Sequence, residues 1–134
     1  MKNDKLMYET VGVEERLKQG NLQSVECPSR EILKHITSLW GGVILLTLRA
    51  GLHRYSEIKR KATGASEKML IQTLKILERD SLIKRTSYDV VPPHVTYELT
   101  ELGYAASTEL SSLIVWIENN QAKITREWTP STKR

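Results

Sequence analysis

The chain is expected to be an α+β protein, mainly helical: a winged helix-turn-helix with a long C-terminal dimerisation helix and an N-terminal arm or helix. Three observations predict this. In Glu67 to Arg79, Leu70, Leu74 and Leu77 share one narrow face at about 100° per residue, while Lys68, Gln72, Lys75 and Arg79 take the opposite face. Two β-rich runs follow, Leu82 to Thr86 and Val95 to Leu99, around the turn-forming Asp89 and Pro92-Pro93. A last apolar helix then begins at Thr100.

Taken in order, residues 1–26 form the arm or helix, with Leu6, Met7, Val13 and Leu17 on one face and Gly20-Asn21 as its break. Cys27-Pro28-Ser29 marks a helix start with Ser29 as cap, and Ile32, Leu33, Ile36 and Leu39 form the stripe behind it. Trp40-Gly41-Gly42 interrupts that pattern. Val43 to Leu48 reads as a wholly buried helix, stopped by Gly51. Leu52 to Tyr55 is too short for a lone strand but fits as a third strand beside the hairpin.

Ser56 is expected to cap a short helix to Ala62, Thr63-Gly64-Ala65 to turn the chain, and Ser66 to cap the helix that follows. Asp80-Ser81 stands where a glycine stop would be expected. Thr100 caps the final helix, about Glu101 to Lys123, which carries a continuous stripe of Leu102, Ala106, Leu110, Leu113 and Ile117. So apolar a terminal helix suits a subunit interface. The organisation is thus 1–26 arm, 27–123 winged-helix domain with its dimerisation helix, and 124–134 mobile polar tail.

At 134 residues one core is the simplest reading. From Lys59 to Arg85 eight basic residues face three acids, an excess greater than the whole chain's +4. Positive charge gathered on the reading elements points to an anionic partner, although a basic solvated helix would carry the same cluster. A single cysteine excludes an internal disulfide. No apolar run approaches the roughly 20 residues of a membrane span, and no secretory signal precedes the domain, so a cytoplasmic protein is expected. His35, His53 and His94 lack metal-ligand spacing, and no phosphate loop or Ser/His/Asp motif appears. Neither an enzyme nor a cofactor is expected.

A helix with this stripe suits a DNA major groove. Ser66, Lys68, Gln72 and Thr73 lie toward its N-terminal half, where base edges are reached; Lys68 suits guanine and Gln72 adenine. Lys75 and Arg79 lie farther along, where phosphates are met. Arg85 and His94 are the wing's candidates for backbone or minor-groove contact, on a turn that two prolines stiffen. Cys27 precedes the start of a helix, whose positive end stabilises a thiolate. A buried, inert cysteine is the plainer alternative.

These residues resemble the HxlR-type winged-helix regulators of bacteria and archaea, over about Cys27 to Ile117. The landmarks stand in order: Cys27-Pro28; Trp40 with Ile44-Leu45; Arg54-Tyr55-Ser56-Glu57-Ile58; Ser66 with Met69-Leu70; Leu77-Glu78-Arg79-Asp80; and Val91-Pro92-Pro93 running into Tyr97-Glu98-Leu99-Thr100-Glu101-Leu102-Gly103. Leu39 and Ser81 depart from the family's usual Lys and Gly. The resemblance implies a homodimeric DNA-binding transcriptional regulator on a palindromic operator. In several relatives the N-terminal cysteine senses oxidants or electrophiles, which makes Cys27 the candidate redox sensor and a small-molecule or oxidant signal a candidate partner. The competing class is a winged-helix protein-interaction module. Such a surface would want aromatic or aliphatic anchors where this chain offers Lys68, Gln72, Lys75 and Arg79.

Overall fold

A computed structural model describes residues 25–128 together with Gly12, Glu14 and Glu15. The expected arm face of Leu6, Met7, Val13 and Leu17, the Gly20-Asn21 break and residues 129–134 of the tail lie outside them. The chain divides into two compact units, Met1–Ser38 and Leu39–Arg134. The division falls where Ser38 turns to extended backbone (φ −63, ψ 147) and ends a helix.

In the first unit that helix, α1, is Pro28–Thr37. Its N-cap is Cys27, not Ser29. Proline lacks an N–H and holds φ near −65°, so Pro28 fits the first helical position and leaves the cap to the residue before it. The Cys27 carbonyl accepts from the N–H groups of Arg30 at 3.1 Å and Glu31 at 3.3 Å. The stripe expected on this helix is not its buried face: Ile32 and Leu33 are exposed, Leu39 belongs to the next helix, and His35 is the buried residue, bonded to Glu31 at 3.2 Å.

The second unit opens with α2, Leu39–Thr47, and a tight helical turn over Leu48–Ala50. Trp40-Gly41-Gly42 does not interrupt the helix, as expected above, but forms its first turn. Two glycines cost a helix about 2 kcal/mol, yet Gly41 and Gly42 are buried beside the fully buried Ile44 and Leu45, so packing outweighs propensity. Gly51 ends this segment at φ +121. Strand β1, His53–Arg54, then runs directly into α3, Tyr55–Lys61. The cap of α3 is Arg54 rather than Ser56, because the Glu57 carboxylate accepts from the Arg54 N–H at 2.8 Å.

Helix α4 is Glu67–Arg79, followed by β2, Ile83–Tyr88, and β3, His94–Leu99. The three strands form an antiparallel sheet in the order β1-β3-β2, with His53 opposite Tyr97, Arg85 opposite Tyr97 from the other side, and Tyr88 opposite His94. The short third strand expected beside the hairpin is therefore present. The core is aliphatic: Ile44, Leu45, Leu48, Ile58, Leu70, Leu74 and Leu77 are each at most 2% exposed.

The junction after α4 carries two unusual features. Ser81 adopts φ +63, the left-handed region that glycine normally supplies. Its N–H donates to the Glu78 carbonyl at 2.9 Å and the Leu82 N–H to the Leu77 carbonyl at 3.0 Å, a complete Schellman stop. Helix α5, Glu101–Thr125, starts against the same backbone. Thr100 donates its hydroxyl to the Ser81 carbonyl at 2.7 Å and accepts from the Gly103 N–H at 3.0 Å. A Cβ at Gly103 would overlap the carbonyl oxygen of Leu82. Farther along, Arg49 grips α5 through Ser107 Oγ at 2.7 Å and Thr108 Oγ1 at 2.9 Å, with its guanidinium 4.5 Å over the Tyr104 ring. Among the described residues no single helix is long and apolar enough to cross a membrane.

Candidate nucleic-acid interface

Helices α3 and α4 meet through Thr63-Gly64-Ala65, where Gly64 takes φ +96. A Cβ there would come within 3.7 Å of the Trp40 ring, which fixes Trp40 as packing for the corner. Ser66 starts α4 by accepting from the Met69 N–H at 3.1 Å. Burial of Leu70, Leu74 and Leu77 then fixes the rotation of the helix and turns Lys68, Gln72, Lys75 and Arg79 to solvent.

The other residues of the expected reading set are placed less simply. Ser66 is exposed, but its hydroxyl is engaged as the cap. Thr73 is half-buried and donates to the Met69 carbonyl at 2.8 Å, off the polar stripe. Arg79 lies 3.8 Å from the Asp80 carboxylate, and Lys59 lies 3.8 Å from Glu67 at the helix start. Lys68, Gln72 and Lys75 form the unencumbered part of the stripe.

The wing brings further residues to the same side. Between the start of α3, α4 and the wing lies an open cleft of about 720 Å³. Lys75 lines it from α4, Arg85 from β2 and His94 from β3, so three candidate contacts that are far apart in sequence converge. His94 stacks on Tyr88 with ring centroids 4.7 Å apart, closing the last rung of the hairpin. The cleft also recruits Arg54, Tyr55 and Ser56, which in sequence stand out only as a strand and helix start. Their signal was the basic residue at the entry of the first of two paired helices. Burial, with the Glu67 carboxylate and Tyr97 nearby, raises the pKa of the Tyr55 hydroxyl, so it stays protonated. The hydrogen bond from the Arg54 N–H holds the Glu57 carboxyl below its ordinary value.

The other expected sites stand on other elements. Cys27, half-buried, caps α1 in the first unit. On α5, Leu102, Leu113 and Ile117 are 59%, 48% and 39% exposed, Ala106 is half-buried, and Trp116 is 56% exposed beside them. Leu110 departs from the expected interface stripe: at 9% exposure it belongs to the chain's own core, with Gly103 and Ser107. Among the described residues, no group of three or more His, Cys, Asp or Glu is placed to hold a metal ion.

Two paired helices, the second with an exposed polar stripe, followed by a hairpin on the same side, define a winged helix-turn-helix of the transcriptional-regulator type. The family model described as HxlR-like helix-turn-helix matches residues 35–125, and the chain belongs to that family. It is 51% identical to the HTH-type transcriptional regulator YtfH of Escherichia coli strain K12 over 114 residues, 85% of this chain and 90% of that one. A solved structure of the regulator ytfH from Salmonella typhimurium superposes with a TM-score of 0.76 at 51% identity, covering 80% of this chain and 96% of that one. The redox regulator HypR in its oxidized form superposes with a TM-score of 0.64 at 32% identity, covering 70% and 97%. These relatives are transcriptional regulators.

Proposed function

We propose that this regulator is a cytoplasmic homodimer that reads a palindromic DNA operator, with α4 in the major groove and the wing on the backbone. The observation that carries the reading is the exposed Lys68/Gln72/Lys75 stripe on a helix whose rotation is fixed by three buried leucines, on the same side as Arg85 and His94. Lys68 and Gln72 specify bases; Lys75, Arg79 and Arg85 meet phosphates. Ser66 and Thr73 act by holding the helix start and its flank, and His94 braces the wing through Tyr88.

Pairing runs through α5. Its exposed stripe of Leu102, Leu113 and Ile117, with Ala106 at its edge and Trp116 alongside, lies on the part of the helix that the chain's own core leaves uncovered. Two-fold pairing then matches half-sites about 10 base pairs apart, or a multiple of that. Cys27 serves as the redox switch: it caps α1, where the helix's positive end favours a thiolate, and HypR is a redox regulator of the same fold. With no second cysteine in the sequence, oxidation joins Cys27 to another subunit or to a small thiol.

Binding to a genomic operator at stated salt tests the reading. Gln72→Ala should relax sequence preference by about 1–3 kcal/mol at one base pair. Lys75→Ala should weaken all sequences alike and lower the salt slope by about 1. Indifference to both substitutions would overturn this assignment of α4. Diamide should release DNA from the native protein and not from Cys27→Ser; equal responses remove the switch.

A further inference from the structure

We infer that the cleft between α4 and the wing is a binding site for a small organic anion with an apolar body, which competes with DNA. The inference rests on the DNA reading only for its competitive part. The cleft's volume of about 720 Å³ falls within the range of small-molecule sites, roughly 300–1,000 Å³. Its lining divides by chemistry. Ile71, Pro92, Pro93 and Val95 supply apolar wall, while Arg54, Lys75 and Arg85 supply three cations against one carboxylate, Glu78.

A DNA strand uses only part of such a lining. A phosphodiester wants hydrogen-bond donors along its length, and the side chains of the isoleucine, valine and prolines offer none. An aromatic or branched aliphatic carboxylate uses both parts. Its body displaces water from the apolar wall, and its charged end meets a guanidinium or ammonium across a reduced local dielectric. The two arginines come from different strands and the lysine from α4, so an anion held among them also ties wing to helix. Lys75 and Arg85 then face the ligand instead of phosphates. That makes the molecule an antagonist of DNA binding by direct occupancy, with no change of shape required.

The probe is 2-naphthoate, titrated by calorimetry into the full chain without DNA, with uncharged 2-naphthamide as its partner. The expected result is saturable binding of one naphthoate per chain and at least tenfold weaker binding of the amide. Arg54→Gln and Lys75→Gln should each weaken naphthoate several-fold at unchanged Tm, and Lys75→Arg should retain it. Naphthoate at ten times its Kd should then lower operator affinity about tenfold. Absence of saturation, equal binding of the amide, or operator affinity unmoved by bound naphthoate would overturn the proposal. If the protein bound no DNA, the reading of α4 would fail by itself, while the titration on the free chain would still decide the cleft.

Discussion

Replacing Ser81 with glycine should stabilise the protein. Ser81 sits at φ +63, and its side chain is exposed. An L-residue in the left-handed region is about 1–2 kcal/mol less stable than in the right-handed one, because its Cβ crowds the following carbonyl. Glycine removes that term but loses about 0.5–1 kcal/mol through its greater freedom in the unfolded chain. The net gain is about 0.5–1 kcal/mol, or about 2–5 °C in Tm for a domain of this size. The Schellman bonds of Ser81 and Leu82 are made by backbone groups and survive the change. Ser81→Ala keeps the Cβ and should be neutral, while Ser81→Val should lose about 1 kcal/mol, because a branched Cβ is worse still. Urea and thermal unfolding of the four proteins would measure the series. A Ser81→Gly variant no more stable than the native chain, with an unchanged denaturant slope, would refute the reasoning.

Gly103→Ala should lose about 3 kcal/mol or more, since the new methyl overlaps the Leu82 carbonyl and backbone cannot step aside cheaply; thermal unfolding reads it. Leu113→Glu should leave each chain folded but convert a dimer to monomers in light scattering, whereas Leu110→Ala should lower Tm, through about 2–4 kcal/mol of lost core packing. The Glu57 carboxyl is lowered from its ordinary 4.5 by the Arg54 N–H. Its contribution is therefore present above that pH and is lost as pH falls through the folded value. Glu57→Gln should flatten this acid limb of the stability profile, and an unchanged limb would remove Glu57 as its source.

The parts of the fold with local signals were legible in the sequence. Helix α4 has its cap in Ser66 and its buried face in three leucines, and its observed bounds match those expected. The hairpin, its third strand and the Thr100 start of α5 followed for the same reason. What went astray was decided by competition between neighbours. Pro28 gave the cap of α1 to Cys27, and Glu57 gave that of α3 to Arg54. Trp40-Gly41-Gly42 looked like a break until burial outweighed propensity. Thr73, at about 100° per residue, falls well off the Lys68/Gln72/Lys75/Arg79 stripe, a displacement that the sequence itself shows. Arg54 and the cleft are not shown there, because only the pairing of β1 with β3 brings that arginine to the side where the wing meets α4.

The three-residue knot at Ser81, Leu82 and Thr100 has a mechanical meaning. The N–H groups of Ser81 and Leu82 close the end of α4, while their carbonyls accept from Thr100 at the root of α5, and β2 starts at the next residue. Helix α4, the wing and the start of α5 are therefore tied together at one point. Helix α5 spans 25 residues, about 37 Å at 1.5 Å per residue, and is the longest helix among the described residues. A tilt of α5 is passed through Thr100 to the end of α4 and the start of the wing. If α5 pairs two copies as proposed, the spacing between their α4 helices follows from how the two α5 helices cross, and substitutions there retune it without touching Lys68 or Gln72.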